Sequence, residues 1–320
     1  MCSSDLRGPS RDGTSTEIGL PLRWSTTENI AWSLELPSWS GSTPIIWGET
    51  IFLNVSDGEN LWLWAVDRSS GEQLWQGYLS DGDHRERKQN MSSPSPVTDG
   101  EHVWMMTGTG WLRAFDFDGN EIWARNISND YWSFGLNWGF ASSPLLHEDA
   151  LYVQVLHGMK TDDPSYLLRI DKATGETVWM VERPTDAIVE SPDSYTTPAL
   201  LQYDGNTEIV ISGGDVVTGH DIETGAELWR ADGLNPRNNR NYRIIASPVV
   251  IGDTIIAPTR VRPMLAPKAG GRGDVPPSHL LWTFRSGPRL PPPASDRQRF
   301  YVRAHHGRLP RPQPPPPPRP

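Results

Sequence analysis

Four short stretches of this 320-residue sequence concentrate side chains that hydrogen-bond and stack. They run from His84 to Asn90, over Asn137 and Trp138, around Tyr195, and through Arg240, Asn241 and Arg243. Amides, guanidinium groups, an indole and a phenol brought to one place suit a small polar ligand, whose oxygens the donors satisfy and whose faces the rings cover. The same side chains serve equally well where nothing binds, by capping backbone ends and ordering water. Residue types alone leave both readings open.

Other chemistries find less support. Asp116-Phe117-Asp118-Gly119-Asn120-Glu121 begins like a calcium loop, with alternating hard oxygen donors, but its twelfth position, where a bidentate Glu belongs, is Ile127. A single cysteine, Cys2, excludes an intrachain disulfide and a multi-cysteine metal site. There is no Gly-x-Ser-x-Gly, His-Glu-x-x-His, phosphate loop or dinucleotide fingerprint, so hydrolase and nucleotide-dependent readings lose their usual basis. Arg272-Gly273-Asp274 and the run Pro314 to Pro318 match short recognition motifs that arise readily by chance.

Charge narrows the partners. The first 285 residues hold 22 basic against 38 acidic residues, a balance that repels nucleic acid phosphates. The last 35 reverse it, with seven Arg against the lone Asp296 and 12 of the 30 prolines. Residues 303–320 accordingly read as a disordered tail, of the kind produced when GC-rich DNA is read out of frame. No apolar run approaches the roughly 20 residues of a membrane helix. Fifteen Trp beside 29 Gly point to many turns and to large flat side chains packed at repeated positions.

The elements that position these residues come from a repeat. Ala65-x-Asp67-x-x-Ser70-Gly71-x-x-x-Trp75 returns as Arg169-x-Asp171-x-x-Thr174-Gly175-x-x-x-Trp179 and Gly219-x-Asp221-x-x-Thr224-Gly225-x-x-x-Trp229, and one residue shorter as Ala114-x-Asp116-x-x-Gly119-x-x-x-Trp123. With Trp32 and Trp282 included, the Trp spacings are 43, 48, 56, 50 and 53. A second marker keeps the same beat: Thr43-Pro44, Ser95-Pro96, Ser143-Pro144, Thr197-Pro198 and Ser247-Pro248, each followed by a short apolar strand. The interval from each Pro to its Trp has room for four strands of about five residues, the period of a β-propeller blade. The Asp is placed to accept from the backbone of its turn, the Gly to take the positive φ, and the Trp to pack between blades, with Trp75, Trp179 and Trp229 in equivalent buried sites. The lead-in to each innermost strand gathers at one channel mouth, where the four polar stretches fall.

The Ala-x-Asp-x-x-Thr-Gly-x-x-x-Trp unit resembles the pyrroloquinoline-quinone-like (PQQ-like) repeat over about residues 30 to 285. That family includes quinoprotein dehydrogenases and non-enzymatic relatives such as the outer-membrane assembly factor BamB. The resemblance implies an all-β propeller of four-stranded blades over residues 21–302, with about five blades complete, part of a sixth, and the ring incomplete. Residues 30–36 are expected to give an outer strand to a last blade, and the open edges to associate. Arg7-Gly8-Pro9-Ser10-Arg11-Asp12-Gly13, within an N-terminal segment 1–20 whose first six residues look non-native, resembles the start of an exported bacterial subgroup. This implies a periplasmic or secreted protein, whose partner would be a protein or a glycan. The expected role is a non-enzymatic scaffold without cofactor. The alternative is a PQQ-dependent oxidoreductase holding the quinone and Ca2+ at the channel mouth through Glu, Asn and Asp side chains.

Overall fold

The computed structural model describes residues 5–259 and 262–284. Their sheets follow the repeat. Blade 1 is β1 (Ile45–Trp47), β2 (Thr50–Asp57), β3 (Asn60–Asp67) and β4 (Gln73–Ser80), paired in that order and antiparallel. Blade 2 is β5 (Val97–Thr98), β6 (His102–Met106), β7 (Trp111–Asp116) and β8 (Glu121–Asn126), and a single helical turn, α1 (Ile127–Asp130), follows it. Blade 3 holds β9 (Leu145–His147), β10 (Ala150–Val155), β11 (Tyr166–Asp171) and β12 (Thr177–Glu182). Blade 4 holds β13 (Ala199–Tyr203), β14 (Asn206–Gly213), β15 (Val216–Asp221) and β16 (Glu227–Ala231).

Blade 5 is less regular. It joins β17 (Val249–Ile251) and β18 (Thr254–Ile256) through single bridges to a hairpin of β19 (Met264–Pro267) and β21 (Leu280–Phe284). Between those two strands β20 (Gly273–Asp274) leaves the blade and adds itself, parallel, to the outer edge of β16. Among the described residues the ring is not closed. The expected sixth unit and the tail fall outside the described residues.

Period-2 strands place alternate residues on opposite sheet faces, and here both faces are buried. Leu151, Val153 and Val155 of β10 join Trp104 and Leu112 of blade 2, while Tyr152 between them joins Ile209 and Ile211 of blade 4. The core is therefore a series of layers, one between each pair of neighbouring blades.

The two sequence markers hold those layers at their two rims. On the inner rim, the N–H of each Ser/Thr before Pro donates to the hydroxyl of the equivalent residue one blade on. Thr43 donates to Ser95 Oγ (2.8 Å), Ser95 to Ser143 Oγ (2.9 Å), Ser143 to Thr197 Oγ1 (3.1 Å) and Thr197 to Ser247 Oγ (2.8 Å). On the outer rim, each Asp folds its own turn. Asp171 Oδ1 accepts from the N–H groups of Ala173 and Thr174 at 2.9 and 2.8 Å, and Asp67 does the same with Ser69 and Ser70. The Ser69 hydroxyl, ahead of the Ser70 N–H, holds Asp67 down at about 2. Asp116 accepts from the N–H groups of Asp118 and Asn120, so the calcium-like stretch is a hairpin turn of the same type.

The motif Gly receives the Trp of the preceding blade. Trp75 lies on Gly119, Trp123 on Gly175 and Trp179 on Gly225. A methyl group at Gly175 would sit 2.7 Å from the Trp123 ring, and the residue's φ of +77° is in any case one that a side chain disfavours. Indole N–H groups fix the rings further: Trp75 donates to Phe117 O and Trp123 to Lys172 O, the residue after the motif Asp in each case.

Two expectations need correction. Residues 30–36 form no strand; their Trp32 instead lies on Gly71 and donates to Arg68 O at 2.9 Å, as a preceding blade's Trp does. Trp229 is also not equivalent to the others. Blade 5 offers no Asp-x-x-Thr-Gly turn, and the indole instead turns onto Gly219 of its own blade and donates to Glu208 Oε2 at 2.7 Å. It is 1% exposed, whereas Trp75, Trp123 and Trp179 are half-buried.

Candidate functional site

The lead-in loops to β9, β13 and β17 converge on one carboxylate. Glu190, in the loop from β12 to β13, accepts at Oε1 from Trp138 Nε1 (2.8 Å), Asn137 Nδ2 (3.3 Å) and Arg243 Nη1 (2.7 Å). The Glu190 and Arg243 side chains are both buried. Tyr195 completes the group, its hydroxyl accepting from the Trp138 N–H at 3.3 Å. Asn137, Trp138, Tyr195 and Arg243 are thus brought together.

Asp193 lies beneath them, wholly buried, and ties the loops to each other. Its Oδ2 accepts from the Asn137 N–H at 2.7 Å and its Oδ1 from the Met159 N–H at 3.0 Å. Burial pushes its carboxyl up to about 6 against those two donors, with Glu190 adding to the rise. Burial likewise raises the Tyr195 phenol. Lys88 and the buried Arg243 stand at 6.0 and 5.7 Å from the Trp138 ring centre, two cations within reach of one indole. Gln89, from the β4–β5 loop, donates to the carbonyls of Trp138 and Gly139.

The remaining sequence candidates lie apart. Arg240 and Asn241 are exposed, and only the Arg240 carbonyl reaches the cluster, accepting from the Glu190 N–H at 2.9 Å. His84 is exposed and bonds to Gly82 O. Asn90 is buried beside Asp83 and donates to Trp39 O at 2.8 Å. His84 and Asn90 line a separate cleft of about 260 Å3 with Trp39, Ser56, Asp83 and Arg85. Glu190, the hub, carries no sequence mark: it is one acidic residue in a polar loop, outside the repeated motifs.

A calcium ion takes six to eight oxygens, and the quinone chemistry of the fold would place one beside Glu, Asn and Asp. Glu190, Asn137 and Asp193 are those residue types, but their geometry does not fit the ion. Glu190 Oε1 faces three nitrogen donors, one of them a buried guanidinium that repels a cation, and both Asp193 oxygens are engaged by backbone N–H groups. Among the described residues no cluster of three or more His, Cys, Asp or Glu has metal-binding geometry. The arrangement is that of a polar network that ties several loops together through Glu190 and Asp193.

The family model described as outer membrane protein assembly factor BamB matches residues 22–131 and 129–309. No curated protein matches the sequence. Among solved structures, a europium-containing methanol dehydrogenase superposes with a TM-score of 0.57 at 14% identity, over 79% of this chain and 52% of its own. Quinohemoprotein alcohol dehydrogenase from Comamonas testosteroni gives 0.56 at 13% identity, over 81% and 45%. BamB from Moraxella catarrhalis gives 0.47 at 15% identity, over 74% and 58%. The chain spans about half the length of these structures, and what it shares with the two dehydrogenases is the fold.

Proposed function

The chain belongs to the PQQ-like repeat family whose model is described as outer membrane protein assembly factor BamB, and from that premise we propose that it is a non-enzymatic propeller scaffold whose channel mouth docks a protein partner. The observation that supports this reading is the buried pairing of Glu190 with Arg243. Glu190 Oε1 accepts from Trp138, Asn137 and Arg243, and the buried guanidinium 2.7 Å away repels a cation there. What such a network does supply is a preorganised surface, because loops fixed before binding lose little entropy on binding. The exposed Arg240 and Asn241 and the partly exposed Trp138 ring are the groups a partner meets.

A periplasmic location follows from the same family reading. No helix among the described residues is long and apolar enough to cross a membrane.

The test has two arms. A photo-crosslinking residue at Asn241, introduced in the native host, is expected to yield one discrete protein adduct. Addition of PQQ and Ca2+ to the purified protein is expected to give no dye reduction with alcohols or sugars. Dye reduction that saturates with quinone would overturn the proposal in favour of an oxidoreductase.

A further inference from the structure

The innermost strand of each blade pairs on one side only, so the carbonyls along its free edge face the channel without ladder partners. Three of these edges are met by the N-terminal segment. Arg7, itself buried, donates from Nη2 to Pro198 O at 2.8 Å, just before β13, and from Nη1 to Pro248 O at 3.3 Å, just before β17. Arg11 donates from Nη2 to Leu146 O of β9 at 3.1 Å. Two arginines four positions apart thus span the inner edges of blades 3, 4 and 5.

The segment is shaped for this. The Asp5 carboxylate accepts from the Arg7 N–H at 2.7 Å and from Arg7 Nη2 at 3.1 Å, aiming the guanidinium and balancing its charge where water is scarce. Backbone bonds from Gly8 to Asp5 O, Arg11 to Gly8 O and Gly13 to Arg7 O fold the stretch into a compact knot. Beyond it every residue from 13 to 30 is exposed, including Leu22 and Trp24. The knot is therefore attached to the propeller by its arginines and tethered to it by an exposed stretch of chain.

We propose that the inner-strand ends of blades 3 to 5 form a binding site for an arginine-bearing peptide, which residues 5–14 fill in cis as a tethered ligand. Recognition rests on the guanidinium. Its planar fork serves two carbonyls on different blades at once, which a lysine ammonium on a flexible stem cannot match.

Limited trypsinolysis of the full chain tests this first. The Arg23–Trp24 bond, in the exposed tether, is expected to be cut early, and Arg7–Gly8, with its arginine buried, late or not at all. The released fragment 1–23 should then co-elute with the propeller on a sizing column. Arg7–Gly8 cut as fast as Arg23–Trp24, or fragment 1–23 lost immediately after the tether is cut, would overturn the proposal.

The second measurement uses the full-length double variant R7A/R11A and a synthetic peptide of residues 5–14. The peptide is expected to bind the variant at least about tenfold more tightly than it binds the parent, whose site is filled; both Arg replaced by Lys in the peptide should cost about tenfold. Equal binding to variant and parent, or indifference to the Lys replacements, would also overturn it. Should the double variant fail to fold, the proteolysis of the parent decides alone.

Discussion

The seam between blades 3 and 4 and the seam between blades 4 and 5 are built from the same repeat and end up with opposite interiors. In the first, Trp179 crosses to the neighbouring blade and lies on Gly225, and the buried polar groups are basic. Arg183, pushed down to about 9 by burial, donates to Thr218 Oγ1 and Gly213 O, with His220 close by. In the second, Trp229 lies against Gly219 of its own blade as well as Gly271 of the next, and the buried group is acidic: Glu208 accepts from Trp229, from Tyr203 and from Arg272. The difference teaches that a motif Trp takes its environment from the blade that follows. Where the next blade brings an Asp-x-x-Thr-Gly turn, the ring crosses the seam. Where it brings Ala269-Gly270-Gly271-Arg272, the ring touches Gly271 but sits over Gly219 of its own blade, and a carboxylate takes its N–H.

The strongest way to break this comparison is at the two Trp residues. Trp229→Ala empties a fully buried site and removes one donor from Glu208, and is expected to cost about 4–5 kcal/mol. Trp179→Ala removes a half-buried ring that makes no indole hydrogen bond, and should cost about 2–3 kcal/mol. Urea unfolding of the two variants checks the order. Equal losses would mean that the two seams do not differ as described.

The receiving side can be broken as well. Gly175→Ala sets a methyl group against the Trp123 ring at a positive φ, and about 3 kcal/mol is expected from strain and overpacking together. Gly205 has nearly the same φ, +76°, with nothing near its would-be methyl, so Gly205→Ala isolates the backbone part at about 1 kcal/mol. The excess of the first over the second measures the contact itself.

Much of this was legible in the residues and some was not, for physical reasons. The Trp and Ser/Thr-Pro beats were readable because each blade solves the same packing problem with the same residue types. The environment of Trp229 was not, because its own turn at Asp221 to Gly225 is intact; the missing partner lies some 45 residues on, in another blade. The Ser/Thr before Pro was visible as a phase marker, but its hydroxyl bonding to the previous blade depends on the arc bringing residues about 50 apart together. At the mouth, Asn137, Trp138, Tyr195 and Arg243 were found because each sits just ahead of an inner strand. Glu190 escaped because a hub is defined by what converges on it.

Acid sharpens the contrast between the two interiors. Burial first, then Arg183, pushes His220 down to about 4, whereas an unfolded His titrates near 6.5. Below pH 6.5 the unfolded chain therefore takes up a proton that the folded chain refuses. Stability falls as pH drops from 6.5 toward 4, by about 3 kcal/mol in all. Asp193 works in the opposite sense: pushed up to about 6, it holds a proton in the fold that the unfolded chain has released, which favours the fold as pH falls from 6 toward 4. His220→Gln leaves the Asp193 contribution in place, so parent minus variant isolates the histidine. The difference in unfolding free energy between pH 7 and pH 4 is the quantity to measure, and a parent and variant that lose stability in parallel would contradict a neutral His220 at this seam.

A small effect is expected on the inner rim, where the two seams should behave alike. Thr197→Val removes the hydroxyl that accepts from the buried Ser143 N–H, and Ser247→Ala removes the one that accepts from the residue 197 N–H. Each change leaves one backbone donor unpaired with no cavity larger than a hydroxyl, a loss of about 1–2 kcal/mol. Native-state hydrogen exchange reads the event directly, because the orphaned amide of Ser143 or of residue 197 should exchange faster while amides one blade further along keep their protection. If the hydroxyl chain is a set of independent pairs, the double variant should lose the sum of the two. If the bonds polarise one another along the rim, the double loss should depart from that sum. Additivity within about 0.5 kcal/mol would place the asymmetry between the seams wholly on the outer rim, at Trp179 and Trp229.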